Sequence, residues 1–179
     1  MPVILRPVSR YQLRFAIALV LLACFARMSF GAGKAASDPG FEFQTSNTVS
    51  SPWLVEGPDP HGIDRGLGFS HSGANNAWIY DSTTNWNAIL QWISVAPNTN
   101  YTLSGWVQNN FTTNPGYFGV RQSDGTTVLQ ETSFNASPAY AQLTVTFNSG
   151  SNSTVRVFAG FWGQSTDRWL RRDDISLHQ

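Results

Sequence analysis

The chain has a single cysteine, Cys24, and a single lysine, Lys34. Everything that follows is free of cysteine, so no disulfide framework holds it, and packing or a metal must do that work. From Asp38 on, six arginines (65, 121, 156, 168, 171 and 172) face all eleven carboxylates of the chain, a net charge of −5. Polyanion binding needs a cationic surface, which excludes nucleic acid as the natural partner. Long apolar runs are also missing. The longest, "FAIALVLLACFA" (15–26), has twelve residues, against the about 20 that a membrane-spanning helix needs. No amphipathic helical stripe is present, and neither is a recognisable catalytic constellation. After Asp38 the only glutamates are Glu42, Glu56 and Glu131, with no pair placed for glycoside chemistry. His61, His71 and His178 are scattered without metal-ligand spacing, and no G-x-S-x-G elbow occurs.

The apolar run has a different meaning. Arg6, Arg10 and Arg14 precede it and the small-residue stretch "SFGAGKAA" follows, the order of a secretory signal over residues 1–35. The mature chain is expected to begin near residues 32–38, outside the cytoplasm. Cys24 ends "LLAC", similar to a bacterial lipobox, so a lipid anchor is the alternative.

Residues 38–179 are long enough for one domain with its own core. Short runs of β-branched and aromatic residues recur along them: 40–43, 76–81, 88–95, 101–109, 116–122, 127–134, 140–148, 154–162 and 169–177. Turn chemistry separates them, as in "APNTN", "SDGTT" and "NSGSNS". Residues 44–75, with "EGPDPHGIDRG", read as a loop. Strands at this spacing with nothing helical between them indicate an all-β antiparallel sandwich of two sheets.

Period-two alternation assigns faces. Tyr101, Leu103 and Val107 point one way, with Trp106 and Gln108 opposite. Phe118 and Val120 point inward, leaving Tyr117 and Arg121 outside. Val155, Val157, Ala159 and Phe161 point inward, leaving Arg156 and Trp162 outside, and Ala77 with Ile79 turns Trp78 and Tyr80 outward. Large aromatics thus stand on faces that a monomeric sandwich would make polar. At the C-terminus, "RRDDISL" places Asp173 in phase with Ile175 and Leu177.

The opening "DPGFEF", the pair "ISVAPNTNYTLSGWV" and the closing "DDISL", in this order, resemble the carbohydrate-binding modules of the four/nine/twenty-two group. The resemblance covers 38–179. It implies a jelly roll of the galactose-binding-like fold, appended in that family to secreted polysaccharidases. It further implies a structural calcium joining the first and last strands, with Glu42 and Asp173 as side-chain ligands and the Gly40 carbonyl completing the shell. Asp174 is the alternative ligand, because Glu42 and Asp173 differ in parity. The ligand it implies is a poly- or oligosaccharide.

Outward aromatics suit such a ligand, since the C–H faces of a pyranose lie against Trp and Tyr while its hydroxyls take amide or guanidinium donors. Trp106, Gln108, Tyr117, Arg121, Arg156 and Trp162 are expected on one side of one sheet. Trp78 and Tyr80 either extend that surface or lie on the other sheet. Trp53, Trp86, Trp92 and Trp169 are assigned first to covering the sandwich. The reading is an exported, non-catalytic carbohydrate-binding protein. Its competitors are a small β-sandwich lyase or hydrolase and an adhesive module without a sugar site.

Overall fold

Alternating apolar and polar residues give ten strands and no helix among residues 35–179, which are those described by the computed structural model. The segment expected to be a secretory signal, apart from its last residue Ala35, and with it Cys24, lies outside the described residues. The strands are β1 (Leu54–Glu56), β2 (His61–Arg65), β3 (Asn75–Asp81), β4 (Trp86–Ser94) and β5 (Asn100–Asn109), followed by β6 (Gly116–Arg121), β7 (Val128–Phe134), β8 (Ser137–Asn148), β9 (Thr154–Trp162) and β10 (Arg168–His178). Sheet one has the order β1-β4-β9-β6-β7 and sheet two the order β2-β3-β10-β5-β8. Every pairing is antiparallel. From β3 onward the chain passes repeatedly between the layers, as a jelly roll does.

The inward residues meet between the sheets. Ile89, Ile93, Phe118, Val120, Val155, Val157 and Phe161 come from sheet one, and Ile79, Leu103, Val107, Val145, Leu170 and Ile175 from sheet two. Each large aliphatic side chain so buried contributes about 1.5–3 kcal/mol. One end of this core is unusual. Arg172 is buried, its guanidinium 4.5 Å from the ring centre of Trp53 and 5.7 Å from that of Phe41. It donates to the Ile89 carbonyl, while its Nε and Nη2 have no partner among the described residues. Burial lowers the guanidinium to about 9, against the opposing pull of Asp173, so it stays charged at neutral pH.

Three expectations need correction. The stretch 40–43 is a turn and not a strand. The Asp38 carboxylate accepts from Phe43 N (2.9 Å) and Gln44 Nε2 (2.8 Å), and these side-chain bonds take the place of a ladder. Phe41 consequently has φ near +60°, and it is buried while Phe43 is 80% exposed. The turn still abuts the last strand, since Ile175 N donates to Pro39 O at 3.0 Å. The stretch 44–75 is not all loop either. It supplies β1 and β2, one edge strand for each sheet, whose three and five residues are too short to show a clear period. Finally, Asp173 does not share a face with Ile175. A β-bulge shifts the β10–β5 register between Asp173 and Ser176, with Asp174 at φ near +48°. Asp173 therefore points outward opposite Trp106, whereas Ile175 and Leu177 point into the core.

Candidate functional site

The outer face of sheet one carries a second apolar layer. On β4 the residues out of phase with Ile89 and Ile93 are Trp86, Ala88, Leu90 and Trp92. On β9 they are Arg156, Phe158, Gly160 and Trp162, and on β6 Tyr117, Gly119 and Arg121. Ala88, Leu90 and Phe158 are buried but stand apart from the core between the sheets. Register brings the larger groups together, with Trp86 opposite Trp162, Tyr117 opposite Gly160 and Arg121 opposite Arg156. The result is a groove of about 380 Å³ lined by Glu56, Trp86, Tyr117, Arg121, Glu131 and Trp162.

Trp86 is its centre. Its ring lies 5.6 Å from Trp162 and 6.1 Å from Tyr117, centroid to centroid. Gly160 makes room for it, because a Cβ there would lie 2.9 Å from Trp86 Cζ2 and 2.4 Å from the Asn87 carbonyl oxygen. Glu56 Oε2 accepts from both Trp86 Nε1 (3.0 Å) and Arg121 Nη1 (2.8 Å). The Arg121 guanidinium in turn stacks over Phe158 at 4.4 Å. Burial pushes the Glu56 carboxyl up, but the indole and guanidinium hydrogen bonds and the charges of Arg121 and Arg156 outweigh it and hold the group below its ordinary range. Trp162 is 52% exposed, so its face is open to solvent. Flat apolar walls thus meet a fixed carboxylate–guanidinium pair, with Glu131 contributing a second carboxylate.

The expected surface residues divide between the two sides of the sandwich. Tyr117, Arg121 and Trp162 line this groove. Arg156 lies beside it, stacked over Trp92 at 4.7 Å and donating to Gly125 O at 3.1 Å. Trp106 and Gln108 belong to β5 of sheet two and so face the opposite way. Their alternation is as read, but alternation within a strand does not reveal the sheet to which the strand belongs. The Trp106 ring is also covered, stacked on His71 at 3.8 Å, and the Gln108 amide donates to Pro138 O. Trp78 and Tyr80 lie on sheet two as well. Trp86, Glu56 and Glu131 were not among the expected residues. Extending the 88–95 strand upstream by two residues puts Trp86 in phase with Ala88, Leu90 and Trp92, a signal present in the sequence. Of the tryptophans assigned to covering roles, Trp53 alone is fully buried.

Gly40, Glu42, Asp173 and Asp174 do converge, at one corner of sheet two. A Cβ on Gly40 would lie 3.4 Å from Asp174 Oδ1 and 3.6 Å from Asp173 Oδ1. The segment between β2 and β3 closes over them. Asp173 Oδ2 accepts from His71 N (2.8 Å) and Ser72 N (3.2 Å), and its Oδ1 from Asp174 N (2.9 Å). Asp174 pairs with His71 Nδ1 at 2.6 Å and accepts from Ser72 Oγ at 2.8 Å. Glu42 Oε1 accepts from Ala74 N and Asn75 N. Burial pushes the Asp173 carboxyl up to about 7, with the Asp174 charge adding to the rise against the backbone donors. Among the described residues no three acidic, histidine or cysteine side chains stand close enough together to enclose a cation. The side-chain donors of the set are nevertheless all oxygen, the chemistry a hard cation takes, and burial together with the Asp174 charge disfavours the ionised form of Asp173.

No protein-family model matches the chain, and no curated protein matches its sequence. Solved structures do match. TmCBM61, determined in complex with β-1,4-galactotriose, aligns over 80% of this chain and 97% of its own at TM-score 0.62 and 15% identity. The CBM22-1 xylan-binding domain from Paenibacillus barcinonensis Xyn10C aligns over 82% and 95% at TM-score 0.56 and 12% identity. The arabinose-bound α-L-arabinofuranosidase MgGH51 aligns over 82% of this chain but 26% of its own, at TM-score 0.62 and 13% identity. The fold is therefore the jelly-roll sandwich of carbohydrate-binding modules, in agreement with the resemblance carried by "DPGFEF" and "DDISL".

Proposed function

We propose that this chain is an exported, non-catalytic carbohydrate-binding protein that takes a neutral poly- or oligosaccharide along the groove of Trp86, Tyr117 and Trp162. The observation that carries the proposal is three aromatic rings around one open groove, with a guanidinium and carboxylates at its edge. Stacking on the rings provides affinity, and the polar groups orient hydroxyls. The net charge of −5 from Asp38 on and the pairing of Arg121 with Glu56 both disfavour an acidic glycan. Against hydrolysis stands Glu56 itself. A glycosidase general acid needs a raised carboxyl, and this one is held low.

Affinity electrophoresis through soluble β-1,4-galactan, xylan, mannan and β-glucan tests the reading. The parent protein should be retarded in at least one gel. Trp86→Ala should weaken that retention about ten-fold or more, the cost of losing a central desolvated anchor, while leaving the far-UV circular dichroism unchanged. Trp106→Ala, on the other sheet, should not. A parent that migrates freely in every gel overturns the proposal.

Export belongs to the same reading and rests on the order of features in residues 1–35. Secreted material should begin near residues 32–38 by N-terminal sequencing. A chain starting at Met1 would refute export, and a diacylated Cys24 would establish the lipid anchor instead. Calcium is also part of the proposal. Glu42, Asp173 or Asp174, and the Gly40 carbonyl would hold it, in competition with the amides that now cap the carboxylates. When bound it would favour the ionised form of these carboxylates.

A further inference from the structure

We propose a second, independent glycan-binding groove on the outer face of sheet two, formed by Trp78, Tyr80, Trp169, Arg171 and Asp64. The inference rests on the carbohydrate-binding reading of the first groove. The second groove, of about 340 Å³, is lined by these five residues, and apart from Glu131 its composition matches that of the first. Each groove has two tryptophans, a tyrosine, an arginine and a carboxylate paired with that arginine. Arg171 Nε donates to Asp64 Oδ2 at 3.2 Å, as Arg121 donates to Glu56. Each also has one indole laid over a glycine of the neighbouring strand. A Cβ on Gly62 would lie 2.8 Å from Trp78 Cζ2, the counterpart of Gly160 beneath Trp86.

Register explains the convergence. Trp78 lies opposite both Gly62 and Arg171, and Tyr80 opposite Trp169. Three side chains of the groove are fixed before any ligand arrives. The Arg171 guanidinium stacks 3.9 Å over Phe69 and 4.9 Å over Trp169, and the Tyr80 hydroxyl donates to Asp167 Oδ1 at 2.6 Å. Side chains held in this way lose little conformational freedom on binding. Because Arg171 is neutralised by Asp64, the groove offers no net cation to a phosphate or uronate, and an uncharged sugar ring is the ligand that fits. The two grooves open on opposite outer faces of the sandwich. One molecule would then hold two separate glycan chains, and its retention by a polymer would exceed that of either groove alone.

Isothermal titration of the full chain with β-1,4-galactotriose and with xylohexaose tests this. The expected stoichiometry for the oligosaccharide that binds is two for the parent, one for Trp86→Ala, one for Trp169→Ala and none for the double variant. Retention on the matching polymer should fall about ten-fold or more in either single variant, through lost avidity. Where Trp169→Ala loses the native circular dichroism, Trp78→Leu takes its place. A stoichiometry of one in the parent, abolished by Trp86→Ala and unchanged by Trp169→Ala, overturns the second groove and leaves the first intact. Binding of neither oligosaccharide together with no retention on any polymer overturns both. A parent that light scattering shows to be a dimer, converted to monomer by Trp169→Ala, assigns the face to self-association and also overturns the inference.

Discussion

Replacing Trp53 by alanine should lower the unfolding free energy by about 3–5 kcal/mol, as large-to-small changes of buried aromatics do. For a domain of this size that corresponds to a fall of roughly 10–17 °C in the melting temperature. Trp53 is 1% exposed, its indole N–H donates to Asp38 O at 2.8 Å, and its ring lies 4.8 Å from that of Phe41. It also forms the face on which the Arg172 guanidinium rests. Removing it opens a cavity and takes the nearest π-face from a buried cation, so the two costs add. Trp53→Phe keeps a ring and forfeits the hydrogen bond, for about 1 kcal/mol or somewhat more. Urea titration of both variants checks the ordering. A loss below about 1 kcal/mol for the alanine variant would mean that the 38–53 segment does not close the core as described.

The second large effect is in the pH profile of the calcium-free protein. Asp173 has a folded value of about 7 against an ordinary 3.8, so the native state binds its proton more tightly than the unfolded chain does. Stability from this group is fully present below about pH 4, declines as pH rises towards 7, and is flat beyond. With about 1.4 kcal/mol per unit, the decline is of the order of several kcal/mol. Calcium should reverse it by favouring the ionised carboxylate, adding roughly 2.7 kcal/mol at one hundred times its dissociation constant. Melting temperatures between pH 4 and 8, with calcium and with excess chelator, should converge at the acid end and separate above pH 6. Asp173→Asn should remove the decline. Identical curves in calcium and chelator would exclude the cation, and a flat curve in chelator would show that Asp173 is not strained by its burial.

What the sequence reveals follows the range of the interaction. The inward set Val155, Val157, Ala159 and Phe161 is legible because a strand's two faces are a local property with period two. The partnership of strands is not local. In sequence, Trp106 and Tyr117 look like equivalent outward aromatics, yet the chain crosses from sheet two to sheet one between β5 and β6, and they end on opposite sides. A displacement of two residues in the start of β4 was enough to hide Trp86, and the single extra residue at Asp174 reverses the parity of everything after it. Glu56 was out of reach for another reason. A strand of three residues carries no period, and it is recognised only from the neighbour with which it pairs.

That last strand has a consequence for how the groove behaves over time. β1 is an edge strand whose backbone ladder runs to β4 alone, and Leu54 and Val55 are 43% and 39% exposed. Short, exposed edges are where local opening takes the least free energy. Yet β1 carries the carboxylate that accepts from both Trp86 and Arg121, so each opening event takes away the hydrogen-bond acceptor of the groove's central ring. Occupancy of the groove and closure of this edge are thus linked equilibria. Whatever binds there with Glu56 in place slows amide exchange in residues 54–56, and whatever frays that edge weakens binding by the same free energy.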